Sequence, residues 1–314
     1  QDFIKESIGL QLYLVQKKME HLKLVEQSLE EMEQKMDNEE EIDWTQMMNL
    51  LHVTNLEKGL VEQYKNASNL DIRIGLHQKY SQNPQPWFEW IYGQLNLKEK
   101  DKVLELGCGT GELWKNKNLP KNVHVTLSDQ SQGMVKDARN YVGEGKGQIS
   151  YQMIDCRQIP KEDHSFDKVI ANHVFYLDDR QQVFNEIKRV LKQNGTFICS
   201  TYGSSHMQEI TQLIKDFDER ITLSDHKLYD VFGLENGEEQ LKKVFSQVKE
   251  IDYEDELLVD QPEPLISYIL SCHGNQHEYL NHRYLEFKDF VRKKMAAKGV
   301  IKITKSAGIF ICKP

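Results

Sequence analysis

The sequence predicts an α/β fold: a doubly wound, mostly parallel sheet preceded by an all-helical arm. Three observations carry this. From Asp101 onward, apolar runs of strand length alternate with helical patterns. One such run, ending in Val103, Leu104 and Leu106, is followed at once by Gly107, Gly109 and Gly111 at alternating positions. Residues 3–36 contain no Pro and one Gly, and they repeat apolar residues at helical spacing.

The chain has 314 residues, enough for one large domain, or one domain with an accessory part. Hydrophobic residues make up 39% and charged residues 28%, which fits a soluble protein with a long polar helical portion. No apolar run approaches the roughly 20 residues of a membrane span, and the opening residues do not read as a signal peptide. Cys108, Cys156, Cys199, Cys272 and Cys312 are scattered, odd in number and never C-x-x-C. They supply neither a disulfide framework nor a zinc site, so no metal is expected and the expected location is cytoplasmic. The first residue is Gln1 rather than Met, and a longer or processed chain is expected. Of the net charge of −9, the five lysines and twelve acids of residues 1–43 account for −7. Neither the arm nor the nearly neutral remainder carries the basic stripe of a nucleic-acid-binding surface. This favours a small-molecule substrate over RNA or DNA.

The arm comes first. Its apolar residues fall at Ile8, Leu12, Val15, Met19, Leu22, Val25, Leu29, Met32 and Met36, close to a heptad seam with one stammer. At 1.5 Å per residue such a helix is roughly 50 Å long, hard for one small domain to cover. A second copy is the expected partner, giving a homodimer through this coiled-coil-like helix. The segment also resembles the long linker helix of MerR-type transcription regulators, which follows a winged-helix DNA-binding domain and pairs antiparallel with its copy. DNA would then be reached only through a domain outside these residues. Next, Asp43 can cap a short helix reaching Leu51, Thr54-Asn55-Leu56-Glu57 fits a capping box, and a third helix is expected from Asn69 to Tyr80. The expected domains are the arm at 1–42, a helical connector or lid at 43–80, and the α/β domain at 81–314. Ser81-Gln82-Asn83-Pro84-Gln85-Pro86 breaks the pattern, and Trp87 to Leu95 resumes a helix. Strands are expected at 102–106, 123–128, 149–154, 167–172, 195–201, 248–258 and 302–312. Helices are expected near 111–117, 131–141, 180–192, 205–218, 236–245, 262–271 and 277–298.

The glycine loop sets the chemistry. Glycines after a strand let the backbone turn sharply and approach a ligand without a Cβ in the way, and a helix opening at 112–117 would aim its first amides at that ligand. A dinucleotide site shows G-x-G-x-x-G. Here the pattern is E-x-G-x-G-x-G, and a carboxylate at Glu105 would repel a pyrophosphate but suit an ammonium. At these residues, Glu105-Leu106-Gly107-Cys108-Gly109-Thr110-Gly111, the chain resembles the class I S-adenosylmethionine-dependent methyltransferases at their first motif. The resemblance extends over residues 70–314. It implies a Rossmann-like seven-stranded sheet with an antiparallel end, and S-adenosylmethionine as cofactor.

Ligand groups in such a sheet come from the carboxyl ends of the strands. The resemblance places Glu105, Gly107, Gly109 and Gly111 around the cofactor. Asp129 is expected to accept the ribose hydroxyls, or alternatively to cap the helix starting at Ser131. Gln130 and Met134 lie where an adenine would be. Asp155-Cys156-Arg157-Gln158-Ile159-Pro160 resembles the family's D-x-x-x-[IL]-P segment, in which Asp155 would accept the adenine amine and the Cys156 amide would face the ring. The alternative is a plain turn cap. The fourth strand ends in Asn172 and His173, beside the sulfonium and the acceptor. His173 is either a general base or a pocket wall. Tyr80 and Trp87 are expected to cover the cofactor, within an upstream group that includes Arg73, His77 and Trp90. Tyr202, His206, Tyr229, His273, Asn275, Gln276 and His277 are candidates for a lid. The expected function is methyl transfer to an O, N or S nucleophile of a small molecule. The rival reading is an S-adenosylmethionine-binding module of a MerR-like regulator, with or without turnover.

Overall fold

The computed structural model describes residues 72–314 apart from 144–146, 176–178, 225–226, 273 and 281–282. Expectations for the arm, its pairing, the MerR resemblance and the capping box all fall on residues 1–71 and lie outside the described residues; so does His273. The described residues belong to the compact unit Asn66–Pro314. The end of the expected connector, residues 72–80, is helix α1 of this unit.

In chain order the next elements are α2 (Trp87–Leu95), β1 (Lys102–Leu106), β2 (His124–Asp129), α3 (Gln132–Val142), β3 (Ile149–Met153), β4 (Phe166–Asn172), α4 (Arg180–Val190) and β5 (Leu191–Tyr202). Then come α5 (Gln208–Phe217), α6 (Leu228–Val231), α7 (Leu234–Lys242), β6 (Gln247–Val259), α8 (Pro262–Leu270), α9 (Gln276–Leu280), α10 (Tyr284–Lys298) and β7 (Ile301–Lys313). The sheet order is β3-β2-β1-β4-β5-β7-β6. β1 to β5 pair in parallel, and β7 pairs antiparallel with both β5 and β6. This is the expected doubly wound sheet with its antiparallel end. The order reverses at β1 and β4, so their carboxyl ends open on one crevice.

Burial explains the strands. In β1, Val103, Leu104, Glu105 and Leu106 are all buried, the pattern of a central strand covered on both faces. β3 lies at one edge and exposes Ser150, Gln152 and Met153. On α4, Val183, Phe184, Ile187 and Val190 form one buried stripe against Phe166, Phe175 and Phe197.

Two helices differ from expectation. The one expected at 111–117 is a single 3-10 turn, Glu112–Trp114. Asn116 already has φ 56, and Pro120 follows, so the turn cannot propagate. The one expected over 277–298 is two, α9 and α10. At the break, Arg283 leaves helical geometry with φ −121 and bonds Asp218 at 2.9 Å and Glu286 at 2.9 Å.

The segment α8 to α10, inserted between β6 and β7, buries Leu265, Ile269, Phe287 and Val291 against Leu76 of α1 and Ile210 of α5. Residues 81–86 between α1 and α2 form a strap tied to β6. The Asp255 carboxylate accepts from Ser81 Oγ at 2.6 Å, the Gln82 and Asn83 amides at 3.0 Å each, and Lys305 Nζ at 2.9 Å. The Asp255 and Lys305 side chains are 0% and 6% exposed. Breaking a buried pair by removing one partner destabilises by about 3–5 kcal/mol, because it leaves an uncompensated charge. Asp255→Ala is therefore expected to lower unfolding free energy by about that amount in urea titrations, and adding Lys305→Met should recover more than half. A single variant as stable as the parent would show that this clamp does not hold the strap.

Candidate functional site

The loop after β1 is shaped by its glycines. Gly107, Gly109 and Gly111 have φ 67, 53 and 83, a region in which a side chain is strained. A Cβ at Gly107 would stand 2.6 Å from Val174 Cγ2. The loop is bound to the end of β2: the Cys108 amide donates to Ser128 O at 2.8 Å, and the Gly109 amide donates to Asp129 Oδ2 at 3.1 Å.

Glu105 sits at the bottom of the crevice, 2% exposed. Trp114 Nε1 donates to its Oε2 at 2.6 Å, and Asn172 Nδ2 donates to its Oε1 at 2.9 Å. Burial pushes the carboxyl up to about 7, against the pull of these two bonds. Beside it, Asn172 Oδ1 is buried and has no hydrogen-bond partner among the described residues. The crevice floor thus presents an acceptor that lacks a donor, beside a carboxyl that holds two.

Asp129 is half-buried, and burial raises its pKa while the Ser131 and Gly109 amides oppose that. Its Oδ1 accepts the Ser131 amide at 2.9 Å. The helix cap is Ser131 itself, whose Oγ accepts from Met134 N at 3.2 Å. Asp129 is therefore not the cap. Gln130 is exposed and Met134 half-buried in the first turn of α3. Asp155 has the turn geometry: its oxygens bond the Arg157 amide at 2.9 Å and the Arg157 guanidinium at 2.7 Å, and these bonds hold its pKa low. Cys156 next to it is half-buried, its thiol pKa raised by burial.

Tyr80 is buried in the cluster under the α8–α10 insert, its hydroxyl 3.5 Å from Gln261 Oε1. It is packed as core. Trp87 stacks on His173 at 5.8 Å between centroids, and Trp90 stacks on Trp87 at 5.4 Å. His173 itself has φ 54, and its amide donates to Ser200 Oγ at 3.2 Å. Burial, then His206 and Lys305, push its imidazole pKa down to about 3. Of the lid candidates, Tyr202 and His206 join this stack, Asn275 bonds the Thr222 amide at 2.7 Å, and Gln276 is buried with its amide on Cys272 O. Trp114, Asp255, Tyr268 and Lys305 escape sequence reading. Only Trp114 leaves a sequence trace, as an aromatic nine positions after Glu105.

This donor set fits S-adenosylmethionine. The ammonium of the methionine part supplies three donors, matching Glu105 and the orphaned Asn172 oxygen. The ribose hydroxyls match Asp129. No Lys or Arg stands in residues 105–114, in keeping with a ligand that carries no phosphate.

Residues 104–199 match the model of a family described as a methyltransferase domain. The chain is also similar to named proteins. YqeM of Bacillus subtilis (strain 168), which carries a provisional methyltransferase name, is 30% identical over 166 residues, 51% of this chain and 64% of its own length. A malonyl-[acyl-carrier protein] O-methyltransferase of Ilyobacter polytropus is 21% identical over 220 residues, 66% of this chain and 78% of that protein. Among solved structures, YcgJ from Bacillus subtilis aligns over 72% of this chain and 97% of its own, with TM-score 0.47 and 16% identity. The chain thus spans less than two thirds of the first relative's length.

Glu105 links the site to pH. Its folded pKa of about 7 lies above the ordinary 4.5, so between these values the folded state keeps a proton that the unfolded chain has lost. The ligand-free protein should therefore lose stability as pH rises through that window. Glu105→Gln is expected to flatten this slope in thermal melts between pH 5 and 8. It should also weaken S-adenosylhomocysteine binding at least tenfold by calorimetry. A slope that survives the substitution would assign it to another group.

Proposed function

We propose that this chain transfers the methyl group of S-adenosylmethionine to an O, N or S nucleophile of a small molecule. The observation that carries this reading is the floor of the crevice: a buried carboxylate beside an unpartnered amide oxygen, under a glycine loop without basic residues. The cofactor supplies a methyl on a positively charged sulfur that is already a good leaving group. The protein's share is to hold the two reactants in line and keep water out. Glu105 and Asn172 would hold the ammonium, Asp129 the ribose, and the strand ends at Asn172 and Tyr202 would direct the acceptor toward the reacting carbon. The small-molecule reading draws on the charge balance of the chain.

Affinity for S-adenosylmethionine tests the cofactor assignment. Gly107→Val, which drives a side chain into Val174, and Asp129→Ala should each weaken binding at least tenfold, about 1.4 kcal/mol. Calorimetry giving parental affinity in both folded variants would overturn it.

The role of His173 follows from its surroundings. A group with a pKa near 3 is neutral throughout the physiological range and is a weak proton acceptor. We propose that His173 acts as a wall and hydrogen-bonding group, not as a base that titrates near 6.5. The rate of methyl transfer should then show no imidazole limb between about pH 5 and 8. A limb near 6.5 that disappears in His173→Ala would restore the base.

A further inference from the structure

Beyond the cofactor residues lies a column of aromatic rings drawn from five separate stretches of chain. Trp87 of α2 stacks on His173, His173 on Tyr202 at 4.3 Å, Tyr202 on His206 at 4.7 Å, and His206 on His77 of α1 at 5.9 Å. Tyr268 of α8 meets His77 edge-on at 6.2 Å. The column passes through His173, the residue after Asn172, and so adjoins the crevice that fits the cofactor.

Three features of this column point to a ligand. First, Nδ1 of His77 and Nδ1 of His206 are both buried without a hydrogen-bond partner among the described residues. Buried polar atoms are nearly always paired, and two orphans on neighbouring rings call for an explanation. Second, the surroundings hold no uncompensated charge from the imidazoles. Burial keeps His77 and His173 neutral down to about pH 3 and His206 well below its ordinary value. The nearby cation, Lys305, is paired with Asp255 at 2.9 Å. Third, the backbone is held out of its ordinary range on both sides of the column, with φ 54 at His173 and 58 at Met207, next to His206. Residues fixed in this region without being glycine collect at ligand sites.

We propose that this column is one wall of the methyl-acceptor site, and that the acceptor is an uncharged aromatic compound whose hydroxyl group bonds His77 Nδ1 and His206 Nδ1. The word acceptor rests on the methyl-transfer reading; the binding chemistry does not. A neutral imidazole nitrogen is a donor in one tautomer and an acceptor in the other. A hydroxyl donates one hydrogen bond and can also accept, so it satisfies both nitrogens wherever at least one Nδ1 carries its proton. A carboxylate only accepts and an ammonium only donates, and either would enter dry surroundings as an unpaired charge. The ring faces favour a planar partner by stacking. In the transfer, the hydroxyl oxygen bonds the methyl carbon, the carbon–sulfur electron pair returns to sulfur, and the hydroxyl proton leaves to solvent water without resting on an imidazole, since burial makes these rings poor proton acceptors. The positive charge of the sulfonium thus leaves the chamber with that proton.

Three probes of similar size test this by fluorine NMR on the full chain saturated with S-adenosylhomocysteine: 4-fluorophenol, 4-fluorobenzoate and 4-fluorobenzylammonium. Saturable binding of 4-fluorophenol is expected, with both charged probes at least tenfold weaker. His206→Phe, which keeps the stacked ring and removes the nitrogen, should weaken the phenol at least tenfold. A charged probe that binds as tightly as the phenol, or a phenol that does not saturate, overturns the proposal without reference to any variant. Unchanged phenol affinity in folded His206→Phe does so too. Calorimetry with S-adenosylhomocysteine alone separates the two readings. If it does not bind, the cofactor assignment fails, and the probe comparison run in its absence still judges the column.

Discussion

A carboxylate at the centre of an α/β sheet is the constraint on which this site depends. Glu105 stands on β1, the strand covered on both faces, and the protein must satisfy it there or keep it protonated. It is met from two directions: Trp114 from the turn after the glycine loop, and Asn172 from the end of β4. Those two bonds fix how far the loop travels before it returns. The 3-10 turn is short, yet it delivers the indole nitrogen to 2.6 Å from the carboxylate. One acid thereby sets the position of the loop, the end of the neighbouring strand and the spare oxygen of Asn172.

Charge is divided sharply across the crevice. On the loop side stand Glu105 and Asp129, both with pKa raised by burial. On the far side the three imidazoles are neutral, and Asp255 and Lys305 cancel each other. A cationic cofactor and an uncharged partner suit these two halves, since each meets the environment that costs least to enter. The insert α8–α10 closes the neutral half with apolar side chains, while α1 supplies His77 from the opposite end of the chain.

Much of this was legible in the sequence, for reasons of burial. Val103, Leu104 and Leu106, or Val169, Ile170 and Ala171, form apolar runs because strands covered on both faces tolerate little else, and their limits fall within a residue or so of expectation. The glycines and Glu105 were legible as one strand–loop unit and Asp129 as a strand end, whereas Asn172 was reached only through the family resemblance, and its bond to Glu105 shows in the structure alone. The turn at Glu112–Trp114 was not, since residues that favour a helix precede an Asn that must go left-handed. Lys305 and Asp255 read as ordinary polar residues of two strands. Only the register that sets them opposite each other, β6 against β7, reveals a buried pair. The stack of His77, His173, Tyr202 and His206 was visible as separate candidates, but nothing in the sequence orders rings across five stretches of chain.

The strap around Asp255 also bears on how the protein is made. Ser81 and Asp255 are separated by 174 residues, and a ribosome adding about 5–20 residues per second needs roughly 10–35 s to bridge that distance. Through that interval β1 to β5 are already being synthesised, while the α8–α10 share of the cluster that buries Leu76 and Tyr80 does not yet exist. The sheet can therefore begin to assemble early, but the roof over the crevice closes last, when the final strands emerge. Nascent chains of this protein would spend their longest vulnerable period with this apolar cluster half assembled beside an unfilled crevice, a state that truncated translation products would never leave.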